Sequence, residues 1–361
     1  MSVTTGTTSR SDLSEFKVTR SKRNVAWTGA GALVVVAIFA YFPYVFYSGT
    51  TNLMVQGFII LTMASMWNLL AGYAGLVSVG QQAFVGLGAE FVLLLNIHNV
   101  SMFTALPIAA VACGVAAVPL WWLVSRLRSG YFAIGTWVLA TTVMLVIEKF
   151  SALGSGTGKP LPNTPSMSTT LLEADTYWIG LGVTVIALAT VYLLLRGRVG
   201  LTLTAIRDDE VAASASGIRV GRARMLVFVI AGIGCGAAGA LLAVSQLSVQ
   251  PTAVFNVSWT AEMAFAVIIG GIGTIEGPIL GTAVYLILQQ TLASYNVWYL
   301  IILGLVAMLV VLVARRGLWG LADDYLHVRL FPVGYWLWTT DALAARSGRP
   351  ARHRRGSAGP E

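Results

Sequence analysis

The feature that most constrains this chain is a series of apolar runs, each near the ~20 residues that cross a bilayer and each separated from the next by a short polar stretch. A soluble core could not hide so many of them. Only 11% of the 361 residues are charged and 57% are hydrophobic, against about a quarter charged in soluble domains. The runs are continuous rather than alternating, which excludes a transmembrane β-barrel. The expected fold class is therefore an all-α polytopic membrane protein.

The N-terminal stretch, residues 1–24, is rich in Ser and Thr and ends in Lys17, Arg20, Lys22 and Arg23. It reads as a disordered cytoplasmic tail, followed by a transmembrane region over residues 25–320 and a basic cytoplasmic tail over 321–361. Spans are expected at about 26–47, 53–71, 103–124, 131–147, 177–195, 225–246 and 297–314. Two further segments are apolar but punctuated by glycine. The first, Gly72–Glu90, carries Gly72, Gly75, Gly80, Gly86, Gly88 and the pair Gln81 and Gln82. The second, about Ala261–Ser294, is too long for one crossing and contains GGIGTIEGP, so it reads as two pieces broken near Gly270–Pro278.

Cations test this layout. Arg126 and Arg128, then Arg196, Arg198, Arg207, Arg219, Arg222 and Arg224, then Arg315 and Arg316, all fall in loops of one side, as the positive-inside rule requires. That holds only if the broken segment counts as two passes. The total is then ten membrane segments, nine if the broken or re-entrant pair is counted once, and with two passes both termini fall inside. The two glycine-rich segments resemble each other loosely, Gly72 and Gly75 against Gly270 and Gly273. An inverted repeat would place a binding site between them; chance likeness of glycine-rich helices is the competing reading.

Catalytic and metal signatures are missing. Ser78 lies in GLVSVG, which is not a nucleophile elbow, and no H-E-x-x-H is present. His98, His327 and His353 lack ligand spacing, and Cys113 and Cys235 sit in apolar runs as small hydrophobes. GSGTGKP, Gly154–Pro160, has Leu153 in place of the first glycine of a phosphate loop and Pro160 in place of its hydroxyl. The chain is thus expected to be no enzyme, to hold no metal and no cofactor, and to leave any Mg–ATP to another subunit. Ionisable groups at membrane depth are functional candidates by default. They are Glu90, Glu262 and Glu276, to which Tyr73, Ser78, Gln81, Gln82 and Gly271 are added as a candidate substrate path. Helix-to-helix hydrogen bonding is the structural alternative for the neutral groups.

One polar run stands between two spans: AIRDDEVAASASGIR, Ala205–Arg219. Acids open it, small residues fill it, and Gly217 then Arg219 close it, as a short helix with a matched macrodipole would be closed. It reads as a helix on the membrane surface, where a partner protein docks; an ordinary solvated loop is the alternative.

Four blocks in order, Asn68–Ala89, Gly130–Ala140, Gly200–Gly232 and Trp259–Gly281, make the chain resemble the longer of the two permease subunits of bacterial branched-chain amino acid ABC transporters. The third block matches that family's coupling motif. The resemblance implies a permease that pairs with a second, related permease, with two ATPase subunits and with an extracytoplasmic substrate-binding protein, in the bacterial inner membrane. It implies that Ala205, Arg207, Asp208, Asp209, Glu210, Ala213 and Gly217 couple to the ATPase. Two positions depart from the family: Glu90 stands where an aromatic is more usual, and Glu276 where an apolar residue is. Urea or short-amide permeases of the same class, and a self-contained ion-coupled carrier, are the alternatives.

Overall fold

A computed structural model describes residues 16–19, 22–44, 48–127, 130–164, 168–292, 297–313, 317–326 and 336–339. The expectations for Arg128, Arg315, Arg316 and most of both tails lie outside these. The chain forms two compact units. In the first, strand β1 (Phe16–Thr19) pairs antiparallel with a strand near the other end of the chain, Phe16 opposite Thr339 and Thr19 opposite Trp336.

The second unit, Ala32–Phe331, is helical. In chain order the helices are α1 (Lys22–Tyr41), α2 (Ser48–Asn68), α3 (Gln82–Ile97), α4 (Met102–Val124), α5 (Gly130–Ile147), α6 (Thr169–Arg196), α7 (Arg198–Asp208), α8 (Glu210–Ala215), α9 (Val220–Gln246), α10 (Pro251–Val254), α11 (Ser258–Gly270), α12 (Glu276–Leu292), α13 (Val297–Val313) and α14 (Gly317–Leu326). Strand β2 (Lys159–Pro160) pairs with β3 (Ser248–Val249), and β4 (Trp336–Thr339) is the partner of β1. Six described segments are long and apolar enough to cross a membrane: Gly49–Tyr73, Met102–Val124, Gly130–Ile147, Thr169–Arg196, Val220–Gln246 and Pro251–Gly270. The protein is an all-α polytopic membrane protein.

Helix α9 is the central strut. It packs against α2, α3, α4 and α6 because its small residues let backbones approach. A Cβ on Gly236 would stand 2.6 Å from Cys113 Sγ, and one on Gly239 would collide with the Val85 carbonyl. Phe84, Phe228 and Trp121 fill the space between α3, α4 and α9, with ring centroids 5.4 and 5.3 Å apart.

The connections fix the direction of each helix. The ends of α2, α7, α11 and α12 meet around Arg207, which defines an Arg-rich end. At the opposite end Asn96, closing α3, exchanges hydrogen bonds with Asn163 in the loop after α5, and β2 pairs with β3 after α9. The long helices therefore alternate in direction: α2, α4, α6 and α11 run toward the Arg-rich end, and α3, α5, α9 and α12 run away from it. The break expected near Gly270–Pro278 is present, between α11 and α12.

Gly72–Glu90 is an interrupted segment. A π turn at Leu69–Tyr73 ends α2, residues 74–81 are irregular, and α3 starts only at Gln82. One boundary differs from expectation: the polar run 205–219 is not one helix but two.

An inverted repeat is visible, though not between the two glycine-rich segments. Helix α2 packs on α11 and α12 as α9 packs on α3 and α4; α3 lies against α4 and α5 as α11 lies against α12 and α13. The pairs α2 and α9, α3 and α11, α4 and α12 each run in opposite directions. Under this pairing the irregular stretch before α3 corresponds to Leu247–Val257 before α11, not to Gly270–Pro278. Gly72 and Gly273, one from each glycine-rich segment, meet face to face at one end of the bundle.

Candidate functional site

The polar run folds as α7 and α8 because Asp209 interrupts it. Its backbone is extended (φ −155°, ψ 107°), and its carboxylate accepts from the N–H groups of Val211 and Ala212 at 2.9 and 3.0 Å. This is an N-cap. Glu210 then occupies the first turn of α8, where a negative charge suits the helix dipole. Gly217, at φ +83°, closes α8 in a left-handed conformation that costs glycine little, and the Ile218 N–H returns to the Ala213 carbonyl at 3.1 Å. Asp208, Asp209, Glu210 and Val211 are exposed, whereas Ala213 is buried and seats α8 on the bundle. Glu210 is held by a two-pronged ion pair with Arg224 of α9, both bonds 3.0 Å.

Arg207 behaves differently from its neighbours. It turns back from α7, and its Nη1 donates to the Gly72 carbonyl at 2.7 Å. That carbonyl belongs to the π turn, where the regular helical acceptor pattern is lost. The same guanidinium borders Gly273, at which a Cβ would stand 2.8 Å from Nη1. Asn68, the last residue of α2, completes the junction: its Nδ2 donates to the Thr274 carbonyl at 2.7 Å and its Oδ1 accepts from the Gly273 N–H at 2.8 Å. Gly273 sits at φ +78°, and a Cβ on Gly72 would be 2.6 Å from the Gly273 nitrogen. Neither position accepts a side chain. Two breaks distant in sequence are thus clamped together by one amide and one guanidinium, with Tyr73 near enough to both Arg207 and Glu276 to interact with each electrostatically.

A second junction lies deeper. Helix α3 has 16 residues and α11 has 13, about 24 and 20 Å at 1.5 Å per residue, each short of the ~30 Å hydrocarbon layer. They run to opposite ends, yet their first turns touch. The Gln82 N–H donates to Thr260 Oγ1 at 3.3 Å, and the Thr260 hydroxyl donates to Gln82 Oε1. The contact therefore falls in the interior of the bundle, where two half-helix N-termini face each other. Around it Ser78 Oγ accepts from Gln81 Nε2 and the Gly80 N–H, both at 3.3 Å, and Thr136 of α5 accepts from the Val79 N–H at 3.2 Å. Gln81 Oε1 is buried with no partner among the described residues, and so are both carboxylate oxygens of Glu90, nine residues further along the chain in α3. Phe255 covers Gly86 between them.

The remaining candidates divide by depth. Tyr73, Gly271 and Glu276 gather at the Arg-rich clamp, while Ser78, Gln81 and Gln82 gather at the interior junction. Glu262 lies on α11 beside the Tyr285 hydroxyl of α12. Toward the opposite end a cavity of about 400 Å³ opens between α2, α6 and α9, lined by Asn52, Gln56, Glu173, Thr176, Gln246 and Trp259 among others. Trp259 adjoins Thr260, so this cavity reaches toward the interior junction. Among the described residues no cluster of three or more His, Cys, Asp or Glu could hold a metal ion.

Sequence reasoning missed Asn68, Thr260 and Thr136. Asn68 was legible as an amide at the end of an apolar run and next to the first glycine. The two threonines carried no signal, because a buried Thr in a membrane helix most often bonds its own helix carbonyl.

The family described as branched-chain amino acid transport system / permease component matches residues 49–312. Among curated proteins, the high-affinity branched-chain amino acid transport system permease protein LivM of Escherichia coli (strain K12) is 27% identical over 325 residues, 82% of this chain and 76% of that protein. LivM of Salmonella typhimurium is 26% identical over the same shares. The ribose import permease protein RbsC of Bacillus subtilis is 29% identical over 154 residues, covering 39% of this chain and 47% of its own. No solved structure matches. The apolar helices, the interrupted segments and the family match over residues 49–312 agree, and the chain belongs to the branched-chain amino acid transport system permease component family.

Proposed function

We propose that this chain is the transmembrane permease subunit of an ABC importer and forms the path for branched-chain or similar amino acids, with ATP hydrolysed in a separate subunit. The observation that carries the reading is the Arg207 bond to the Gly72 carbonyl. It joins an exposed acidic stretch to the two interrupted segments that shape the bundle. A partner that moves α7 and α8 therefore moves both breaks. An ATPase seated on Asp208–Val211 supplies such a motion, and the spans then rock between openings toward either side.

The Arg-rich end is the cytoplasmic one by the cation distribution, which puts the ~400 Å³ cavity on the side where a substrate-binding protein delivers cargo. A second, related permease completes the membrane dimer, in the bacterial inner membrane with both termini inside. LivM relatives that align with most of this chain support the amino acid substrate.

The test is uptake into proteoliposomes holding both permeases, the ATPase and the binding protein. ATP-dependent accumulation of labelled leucine is expected. Full uptake by the isolated chain, abolished by an ionophore, would replace this reading with an ion-coupled carrier. Uptake of urea but not leucine would keep the transporter class and overturn the substrate.

A further inference from the structure

We infer that the Arg-rich end of α4 and α9 holds a binding site for an anionic phospholipid, with the headgroup in a cavity of about 550 Å³ between these helices, the start of α5 and α8. The cavity is lined by Trp121, Trp122 and Phe132 on one side and by Glu210, Arg222 and Arg224 on the other.

Charge is the first argument. The Arg222 side chain makes no hydrogen bond or ion pair among the described residues, and Arg126, between the lining residues Ser125 and Leu127, lies over the Trp122 ring at 5.8 Å. Arg224 gives both terminal nitrogens to Glu210, but its Nε is buried without a partner. Two guanidinium groups therefore line the cavity beside one carboxylate, with a third, that of Arg126, over the lining Trp122. Guanidinium forks match phosphate oxygens in pairs, and the 27-residue α9 begins at this wall, with Val220 and Gly221 lining it, so its positive end adds to the field.

The second argument is apolar. Val111, Val115, Val118 and Trp122 form one stripe along α4, at i, i+4, i+7 and i+11, and are 63, 69, 43 and 68% exposed. Val118 and Trp122 are also cavity walls. A ligand with an anionic head and a long apolar tail fits the two features at once: phosphate among Arg126, Arg222 and the Arg224 edge, acyl chain along the stripe. A free anion would leave the stripe unused, and a neutral lipid would leave the cations unused. Basic pockets between membrane helices on the cytoplasmic side recur as anionic headgroup sites. The leaflet assignment rests on the sidedness proposed above; the site itself does not.

The site also bears on coupling. Arg224 and Glu210 join α9 to the acidic stretch, so a headgroup that engages Arg224 Nε touches the same pair that positions α8.

Native mass spectrometry of the complete transporter, purified in mild detergent with phosphatidylglycerol and phosphatidylethanolamine in equal amounts, tests this without ATP or substrate. Wild type should retain phosphatidylglycerol over phosphatidylethanolamine by roughly thirtyfold, and the double variant R126Q/R222Q should lose that preference, at around thirtyfold for two removed cations. R198Q, a cation on α7 outside the cavity, should retain it. Equal retention of the two lipids by wild type overturns the proposal, as does unchanged retention in R126Q/R222Q. Loss of the phosphatidylglycerol adduct on adding millimolar inorganic phosphate identifies a free-anion site and also overturns it, as does an adduct seen on the isolated chain but absent from the complex, which means that a partner subunit covers this face. Failure here leaves leucine uptake as it was, and failure of uptake leaves the lipid adduct intact.

Discussion

Arg207 shows how one side chain can be read two ways from sequence. In a run of charges on a membrane surface it looks like a docking residue, and its half-exposed side chain, 46% accessible, still allows that. Its bond to the Gly72 carbonyl gives it an internal task. A hydrogen bond from a charged donor contributes about 1.5–3 kcal/mol, so R207A should shift the clamped arrangement by roughly tenfold or more while leaving Asp208–Val211 in place. The expected outcome is ATP hydrolysis and ATPase co-elution near wild type with leucine uptake reduced about tenfold, partly restored in R207K. Loss of ATPase co-elution in R207A would instead make it a docking residue. Gly88 offers a cleaner steric test. A Cβ there collides with the Gly236 carbonyl across the α3–α9 contact, so G88A should lower stability by about 1–3 kcal/mol. Thermal unfolding of the purified complex reads that shift, and a Tm equal to wild type would show that the two helices can separate freely.

At the scale of elements, the sequence foretold most of the bundle and the break between α11 and α12, but not where α3 begins. Apolar runs, cation bias and the Gly–Pro cluster gave the alternating helices and the α11–α12 break, because those signals follow from the bilayer itself. The exact start of α3 was not legible: Gln81 and Gln82 are polar residues in an apolar run, and only the partner Thr260, 178 residues away, explains why a helix begins there. The likeness of Gly72–Gly75 to Gly270–Gly273 misled for a related reason. Both places need glycine because each backbone presses on the other, which is contact, not descent from one repeat. The division of 205–219 was foreshadowed by Asp208–Asp209 but read as a helix start alone. Replacing the cap, D209A, should cost α8 about 1 kcal/mol. Hydrogen exchange over Glu210–Ser216 should then speed up about fivefold while α7 keeps its protection, and D209S should recover most of it. Equal exchange in D209A and wild type would show that Ala213 burial alone holds α8.

Across the whole helical unit, two junctions close the bundle at different depths. The Asn68–Arg207 clamp closes the Arg-rich end, and the Gln82–Thr260 contact closes the interior below the ~400 Å³ cavity. On the function proposed above, cargo that enters from that cavity meets the interior junction first. For passage the first turns of α3 and α11 must part, and the inverted pairing of α2 with α9 and α3 with α11 allows this by tilting one half against the other. A reversible bond between the two turns should therefore stop transport without stopping the motor. Gln82→Cys and Thr260→Cys place two thiols on first turns that a hydrogen bond already joins, where oxidation or a short bis-thiol reagent is the means to link them, while the native Cys113 and Cys235 are both buried. Oxidation of the double variant should abolish leucine uptake, leave ATPase association unchanged, and be reversed by a reductant; each single variant should be insensitive to oxidant. Undiminished uptake by the cross-linked protein would mean that substrate bypasses this junction, and the path would then lie along another face of the bundle.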